Sequence, residues 1–273
     1  MTLLTKYRRV TKANKCPLCQ HDSWCLVARD GSAVICTRTP NDQPWGESGF
    51  FHKTGNGAVY VPPHRETTPP AIDATKIMDR YQQATTGNEL FGLSQSLGVN
   101  EQALLDIGVA RAIDYSEGTF AFPMRNEHGG CVGIRLRNAD GAKWAVWGSK
   151  EGLFYDPEMP RTGTVLICEG PSDTAAMMSL GFDTIGRPSC SGAISMTVAL
   201  IKQTRPDVVI VSDADGPGRE GSEKLADALV AVAKSVKIIE PLVGKDAREW
   251  KKLNATGASV RTCIDNAPIW KGK

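Results

Sequence analysis

The sequence contains two acidic motifs, and each of them directly follows a run of apolar residues. If the two runs are neighbouring strands, the two motifs could bind one metal ion together. The first reads Glu169-Gly-Pro-Ser-Asp173 and follows the apolar run at 164–168. The second reads Asp213-Ala-Asp215 and follows Val208-Val-Ile-Val. Continuous apolar runs are typical of parallel strands buried on both faces, and ligands gather at the carboxyl ends of such strands. We therefore expect Glu169, Asp213 and Asp215 to lie at the ends of adjacent parallel strands.

The residue types and spacing of these motifs predict a Mg²⁺ site. Asp213 and Asp215 are separated by one residue, so they share a face of an extended chain and can bind the same ion. Three converging carboxylates repel one another unless a hard cation neutralises them, and Mg²⁺ keeps water ligands for a phosphate-bearing substrate. Asp173 falls in the first turn of a predicted helix, where capping of that helix is an alternative role.

Four of the eight cysteines crowd into a short basic segment near the N-terminus. Cys16 and Cys19 have the spacing of a metal knuckle, whereas ten residues separate Cys25 from Cys36. A two-residue type I′ turn at Asp30-Gly31 would pair the flanking strands so that Cys25 lies directly opposite Cys36. All four sulfurs could then bind one Zn²⁺, which would be structural because no ligand position stays open.

Two alternatives remain open for this cysteine cluster. His21 could replace Cys25 as the fourth ligand, or the cysteines could be free thiols or include a Cys25–Cys36 disulfide. The N-terminal residues contain no apolar leader and no run has membrane-spanning length, so we expect a cytoplasmic protein, where disulfides rarely persist. The segment is also rich in aromatic residues, which suits single-stranded nucleic acid if they are not all core residues.

The overall composition is that of a globular protein. The chain has 273 residues, of which 41% are hydrophobic and 23% are charged, and this excludes a disordered chain. The net charge is only +2, so no global basic field attracts nucleic acid. A polyanionic partner must therefore be bound by local basic patches.

The elements that position these motifs divide the chain into consecutive blocks. We predict a zinc-binding β-ribbon at residues 1–53, a Gly- and Pro-rich linker at 54–73 and a basic subdomain at 74–160. Residues 161–250 alternate strand, helix, strand, helix and strand, which is the signature of a parallel sheet covered by helices. Residues 251–273 are expected to be a polar C-terminal tail. Within the basic subdomain, helices are predicted at 74–84 and 102–107, and strands at 120–123, 131–137 and 144–147.

The two acidic motifs resemble the signatures of the Toprim domain, which bacterial-type primases, type IA and type II topoisomerases, OLD-family nucleases and RecR share. The resemblance covers about residues 163–250, including Lys245-Asp246-Ala-Arg-Glu-Trp250, which resembles a segment that closes the primase Toprim domain. A zinc ribbon, a linker, a basic α+β unit and then a Toprim domain is the order found in DnaG-like primases. The chain most resembles the short primases of phages, plasmids and integrated mobile elements.

The resemblance implies a DNA primase that makes short RNA primers on single-stranded DNA from ribonucleoside triphosphates. It implies catalytic Mg²⁺ or Mn²⁺, two ions or more, bound by Glu169, Asp213 and Asp215, with Asp173 as a further catalytic residue. A separate replicative helicase is the implied partner at the replication fork or nucleoid, because the sequence has no Walker A motif. The residues implied to bind substrate or nucleic acid are Arg125, Arg135, Arg137, Lys143, Lys150 and Lys245. A solvated strand face is the alternative for the basic strand residues.

Two other functions would use the same Toprim-like residues. A Toprim nuclease would use the same carboxylates with water as the nucleophile, but it needs no primase-like basic block. A RecR-like DNA-binding recombination protein would be non-catalytic, so it would give no role to the carboxylates of Glu169, Asp213 and Asp215. The chain also lacks room for the strand-passage domains of a topoisomerase. Primase is therefore the function that the sequence favours.

Overall fold

The computed structural model describes residues 6–45, 49–54 and 71–272. The chain divides into two compact units, Met1–Thr68 and Pro69–Lys273, which we describe one at a time. Most of the predicted linker lies outside the described residues.

The N-terminal unit is an antiparallel β-ribbon. Its described strands are β1 (Tyr7–Arg9), β2 (Leu26–Ala28), β3 (Ala33–Cys36), β4 (Pro44–Trp45) and β5 (Gly49–Lys53), in the sheet order β1-β2-β3-β5-β4. The β2–β3 hairpin pairs Leu26 with Ile35 and Val27 with Val34, which is the predicted register.

The turn of this hairpin differs from the predicted type I′ turn. Only Gly31 of the two central residues has a positive φ, of 74°, and its N–H donates to the Ala28 carbonyl at 2.9 Å. The Asp30 carboxylate accepts hydrogen bonds from the backbone N–H and the hydroxyl of Ser32. This local bonding holds Asp30 outside the left-handed region and leaves Gly31 alone there, which still reverses the chain in the same register.

The first part of the C-terminal unit combines helices with an antiparallel sheet. The helices are α1 (Ala74–Ala84), α2 (Gly87–Leu97) and α3 (Glu101–Ile107), and the strands are β6 (Ala110–Arg111), β7 (Phe120–Arg125), β8 (Cys131–Arg137) and β9 (Lys143–Ala145). The sheet order is β6-β7-β8-β9. The sequence prediction missed α2, although Thr86 and Glu89 form a capping box at its start and Gly98 ends it in the left-handed conformation.

The two faces of this antiparallel sheet pack against different partners. Ile134 and Leu136 of β8 are buried with Met78 of α1. On the other face, Phe122 and Met124 of β7 belong to a core that also contains Leu166, a residue of the second sheet, which is described next. Because side chains alternate along a strand, β7 and β8 therefore join a helical layer to the second sheet.

The second sheet is parallel and carries the acidic motifs. Its strands in the described chain are β10 (Thr164–Glu169), β11 (Asp183–Arg187), β12 (Asp207–Val211) and β13 (Ser235–Ile239), in the order β11-β10-β12-β13. The helices associated with it are α4 (Pro171–Met178), α5 (Ile194–Thr204), α6 (Gly216–Leu229), α7 (Ala247–Lys252) and α8 (Gly257–Asn266). Leu166 and Ile167 are neighbours in sequence but are buried in different cores, so β10 is covered on both faces. The predicted α/β fold class is confirmed, with β11 and α5 added.

The segment expected to be a polar C-terminal tail is folded. Residues 257–266 form α8, whose Val260 is buried, and the Lys237 ammonium of β13 donates to the Ile264 carbonyl at 2.7 Å. Val260, Cys263, Ile264 and Ala267 pack against the core at the i, i+3, i+4 and i+7 spacing of a helix, which is the pattern that the sequence prediction missed. Across the described residues, no helix combines the length and the apolar character that spanning a membrane requires.

Candidate active site and zinc centre

The cysteine cluster has the geometry of a closed zinc site. Cys16, Cys19, Cys25 and Cys36 place their sulfurs within 4.8 Å of one another. The Cys25 sulfur lies 3.7 Å from that of Cys19 and 3.8 Å from that of Cys36. Sulfurs at 2.3 Å from a tetrahedral Zn²⁺ are about 3.8 Å apart. The four residues therefore fit one Zn²⁺, with Cys25 opposite Cys36 as the hairpin register predicts.

Backbone groups around Cys36 favour its thiolate form. The N–H groups of Arg38 and Thr39 donate to the Cys36 sulfur at 3.4 and 3.3 Å. Burial opposes ionisation, but a hydrogen bond from the Thr39 side chain, together with these two N–H groups, outweighs it and lowers the pKa of Cys36 to about 6. His21, the alternative fourth ligand, is exposed and lies outside the group of four sulfurs.

Glu169 and the Asp213 motif lie at the carboxyl ends of adjacent strands. β10 pairs with β12 in parallel, with Ile167 opposite Ile210, so Glu169 ends β10 beside the exit of β12. Asp213 follows two residues after the end of β12. Asp215 is the N-cap of α6, and its carboxylate accepts from the Gly218 N–H at 2.7 Å. This hydrogen bond fixes the Asp215 carboxylate at the sheet edge.

Asp173 is a buried carboxylate that does not cap its own helix. The N-cap of α4 is Gly170, with a φ of 79°, and no side chain caps that helix end. Asp173 instead accepts from the Arg248 backbone N–H, in the first turn of α7, at 2.9 Å. It is 7% exposed, and burial, followed by the charge of Asp246, raises its pKa to about 7. The helix-capping alternative is wrong, because this carboxylate joins α4 to α7.

Asp213 lies in a field of other carboxylates. Its pKa is raised to about 7, first by burial and then by the negative charges of Asp173 and Glu169. Asp246 and Asp215 raise it further. Asp246 was not among the predicted site residues. It is the N-cap of α7 and accepts from the Glu249 N–H at 2.7 Å, and the Asp-x-x-Glu spacing is the sequence signal that could have marked it.

The acidic cluster is more open than the cysteine cluster. Within the described chain, no three of its carboxylates bring their oxygens within 4.8 Å of one another, as the cysteine sulfurs do. A cavity of about 20 Å³, lined in part by Glu169, Asp213, Arg187 and Cys190, has room for one water-sized ligand. Mg²⁺ in substrate sites is bound through one or two carboxylates and keeps several waters. A spaced set of mutually repelling carboxylates therefore fits Mg²⁺.

Cations from the antiparallel sheet lie beside these carboxylates. Arg137 of β8 pairs directly with Lys143 of β9. Surrounding protein atoms remove water from around both side chains, although Lys143 stays accessible, and this effect, followed by the nearby positive charges, lowers the pKa of both; Asp173 opposes that shift. The Arg248 charge acts on Asp173 as well. Arg137, Lys143 and Arg248 therefore face the acidic cluster, and Arg248 was not predicted.

The other predicted basic residues are placed differently. Arg125 directs its guanidinium to the carbonyls of Gly129 and Ile107, at 3.2 and 3.4 Å. Arg135 lies on β8, two residues before Arg137. Lys150 and Lys245 are exposed. None of these four is among the main charges that shift the pKa of Asp173 or Asp213.

Two positions support the cluster from its rim. The backbone carbonyl of Lys245 accepts from the Ala214 N–H at 2.8 Å, so it holds the residue between the two aspartates. Arg187 is 4% exposed, pairs with Glu169 across β10 and β11, and donates to the carbonyls of Gly192 and Cys190. No sequence pattern marked Arg187, because its partners come from a loop of irregular structure.

The comparisons with known proteins show the fold. No protein-family model matches the sequence, and no curated protein is similar to it. The zinc-binding and RNA polymerase domains of the Aquifex aeolicus primase match with a TM-score of 0.58 at 15% identity, over 72% of this chain and 60% of that one. The primase fragment of the bacteriophage T7 primase-helicase protein matches with a TM-score of 0.54 at 16% identity, over 94% of this chain and 99% of that one.

A third structure of the same type is a DnaG primase catalytic domain bound to single-stranded DNA. It matches with a TM-score of 0.56 at 14% identity, over 72% of this chain and 78% of that one. The chain has the fold of a DnaG-type primase core. The fold class and the structural resemblance predicted from the sequence are thereby confirmed, and the chain spans 60% of the length of the Aquifex primase structure.

Proposed function

We propose that the protein is a DNA primase, which joins ribonucleotides on a single-stranded DNA template by metal-dependent nucleotidyl transfer. One observation carries the proposal: the carboxylates that follow β10 and β12 interact with one another, and Arg137 and Lys143 of the antiparallel sheet lie beside the buried member of that group, Asp173. Carboxylates bind divalent cations, and neighbouring Lys and Arg side chains bind phosphates. A site that holds both signs of charge suits a metal-bound nucleoside triphosphate.

Each residue of the site has a task in this reaction. Glu169, Asp213 and Asp215 would hold Mg²⁺ or Mn²⁺, most simply two ions, which lower the charge on the triphosphate and on the attacking 3′-hydroxyl. Arg137 and Lys143 neutralise phosphate oxygens. Asp173 positions α7, and with it Asp246, through the Arg248 N–H. The four cysteines would hold one structural Zn²⁺ in the ribbon, and the ribbon would bind the template and select the site where synthesis starts.

The partners follow from the same proposal. The solved structures with this fold include a primase bound to single-stranded DNA and a fragment of a primase-helicase protein. We extend this to single-stranded DNA, ribonucleoside triphosphates and a separate replicative helicase at the replication fork. Arg125, Arg135, Lys150 and Lys245 are proposed as further nucleic-acid contacts. We propose the predicted boundaries of the ribbon, linker, basic subdomain and catalytic domain unchanged, whereas residues 257–266 of the expected tail form a helix.

The proposal is tested by synthesis on circular single-stranded DNA with Mg²⁺ and labelled ribonucleoside triphosphates. We expect short RNA products, and we expect Asp213→Ala to reduce them by about 10²–10³-fold, because the metal stabilises charge in the transition state. Glu220→Gln is the matched control, because that side chain is 69% exposed and bonds to Lys224 on the same helix. It should retain synthesis at the wild-type rate.

The other outcomes separate the rival functions. Template degradation that depends on Asp213, without RNA products, would replace the primase with a nuclease. Binding of DNA with neither synthesis nor degradation would indicate a non-catalytic DNA-binding protein. RNA products that persist in Asp213→Ala would contradict the assignment of the acidic cluster.

A further inference from the structure

The antiparallel sheet has one face that is only partly covered. Phe122 and Arg135 are directly opposite each other on β7 and β8, so their side chains share this face. Phe122 is fully buried in the core shared with the parallel sheet. Arg135 is only partly buried. The face is therefore closed at β7 and accessible at β8.

A strip of cations lies on the accessible side of this face. Arg135 is paired with Ala145, and Arg137 with Lys143, across β8 and β9. All four side chains share the face, because directly paired residues point the same way. The strip begins at the acidic cluster, since Arg137 and Lys143 are the members whose charges interact with Asp173.

Trp147 stands at the opposite end of the strip. Exposure alternates along this segment, with Lys143, Ala145 and Trp147 exposed and Trp144 and Val146 packed against the core on the α1 side. Trp147 is 59% exposed. Trp147 comes four positions after Lys143, in the turn that directly follows β9.

The backbone around Trp147 is held firmly. The N–H of Val146 donates to the Ile134 carbonyl, and the N–H of Ser149 donates back to the Val146 carbonyl, both at 3.0 Å. The chain then crosses directly over Gly133 of β8, where an added Cβ would lie 2.9 Å from the Ser149 Cβ. A large aromatic ring is thus presented to solvent on an ordered turn, which lowers the entropy cost of binding to it.

We propose that Trp147 is a stacking platform for a nucleobase of single-stranded DNA whose phosphates lie along Arg135, Arg137 and Lys143. Bases stack on aromatic rings without sequence preference, while the backbone follows a groove or strip of positive charge. The arrangement holds one end of the bound strand at Trp147 and directs the other end to the acidic cluster. The proposal rests on the proposed function only in taking this strand as the template.

The test compares a labelled oligodeoxynucleotide with an abasic strand of the same length. Both carry the same phosphates, but only the first can stack. Fluorescence anisotropy with the full chain gives the dissociation constants, without nucleotides or synthesis. We expect Trp147→Ala to weaken binding of the base-bearing strand by about 5- to 150-fold, and to leave binding of the abasic strand unchanged.

Three further variants test whether the loss of binding comes from base stacking on Trp147. Trp147→Phe keeps a ring and should retain most of the affinity, whereas Arg137→Ala should weaken binding of both strands. Phe91→Ala removes another exposed aromatic, on α2 and outside the sheet, and should change neither. Circular dichroism checks that each variant is folded.

Three results would overturn the inference: equal weakening of both strands by Trp147→Ala, no weakening of either, or the same loss in Trp147→Phe as in Trp147→Ala. A different result would reject the proposed function without rejecting this inference. A wild-type protein that makes no RNA, but whose binding depends on bases through Trp147, would reject the primase and keep the stacking site.

Discussion

The cysteine cluster and the acidic cluster are built in opposite ways. All four cysteines come from one short segment, and their sulfurs lie within 4.8 Å of one another. The acidic cluster draws on three separate segments, which contribute Glu169 with Asp173, Asp213 with Asp215, and Asp246. A closed set of four ligands leaves no position for a substrate, whereas a spaced set leaves several. The first arrangement suits a structural ion and the second suits chemistry.

The two clusters also differ in the pKa values of their ligand side chains before a metal binds. Hydrogen bonds from the Thr39 side chain and from the N–H groups of Arg38 and Thr39 lower the pKa of the Cys36 thiol to about 6, although burial raises the pKa of Cys16 to about 12 and also that of Cys25. Burial and neighbouring carboxylates raise the pKa of Asp213 to about 7. The zinc centre therefore contains one thiol that ionises easily, whereas in the acidic centre the carboxylates repel one another and a bound cation would relieve that repulsion. Each contrast leads to a measurable difference.

The largest expected effect is loss of zinc from Cys36→Ser. A serine hydroxyl is a poor zinc ligand, and a structural site with three remaining cysteines loses much of its binding free energy. Metal analysis of the purified protein should give one zinc per wild-type chain and far less in the variant. Cys263→Ser is the control, because this cysteine lies outside the cluster. Equal zinc in both variants would contradict the four-cysteine assignment.

A smaller effect is expected in the pH dependence of Mg²⁺ binding. Ligand carboxylates must be ionised, and Asp213 has a pKa of about 7 in the metal-free protein. The apparent affinity for Mg²⁺ should therefore rise about tenfold from pH 6 to pH 8 for one displaced proton. Calorimetric titration at the two pH values measures this. An affinity that is flat across this range would show that Asp213 does not bind the ion.

A separate effect concerns stability without metal. The pKa of Asp173 is about 7 in the folded chain against an ordinary value of 3.8, so the folded state holds a proton that the unfolded state has released between these values. The free energy of unfolding should therefore fall as the pH rises from about 4 to about 7. Asp173→Asn has no such proton and should reduce this fall in urea titrations, while Asp213, whose pKa is also about 7, maintains the remainder. Asp140→Asn, in the turn between β8 and β9, should leave the fall unchanged.

The sequence predicted those features whose causes are local. Alternating residues around Asp30-Gly31 were enough to pair Cys25 with Cys36, even though the turn type was wrong. Apolar runs followed by acids were enough to place Glu169 and Asp213 at neighbouring strand ends. Both predictions depend on short-range periodicity and on the regular geometry of paired strands.

The features that the sequence did not reveal depend on long-range packing. Asp173 was predicted to be a catalytic residue, with capping of its own helix as the alternative, and neither prediction gave its hydrogen-bond partner, the Arg248 N–H, 75 residues away in the chain. Arg187 and Asp246 join the site only because β11 and α7 pack beside β10 and α4. These contacts exist only after the sheet has formed. Helix α8 is different, because Val260, Cys263, Ile264 and Ala267 have helical spacing and this local pattern was overlooked.

The roles of the two clusters are distinguished most directly by measuring the extension of an RNA strand that is already annealed to a DNA template. The reaction needs the chemistry of the acidic cluster but not the start on single-stranded DNA that we assign to the zinc ribbon. We expect the wild-type protein and Cys36→Ser to extend the RNA in the presence of Mg²⁺, and Asp213→Asn to fail. Extension by Asp213→Asn at the wild-type rate would contradict the assignment of catalysis to the acidic cluster.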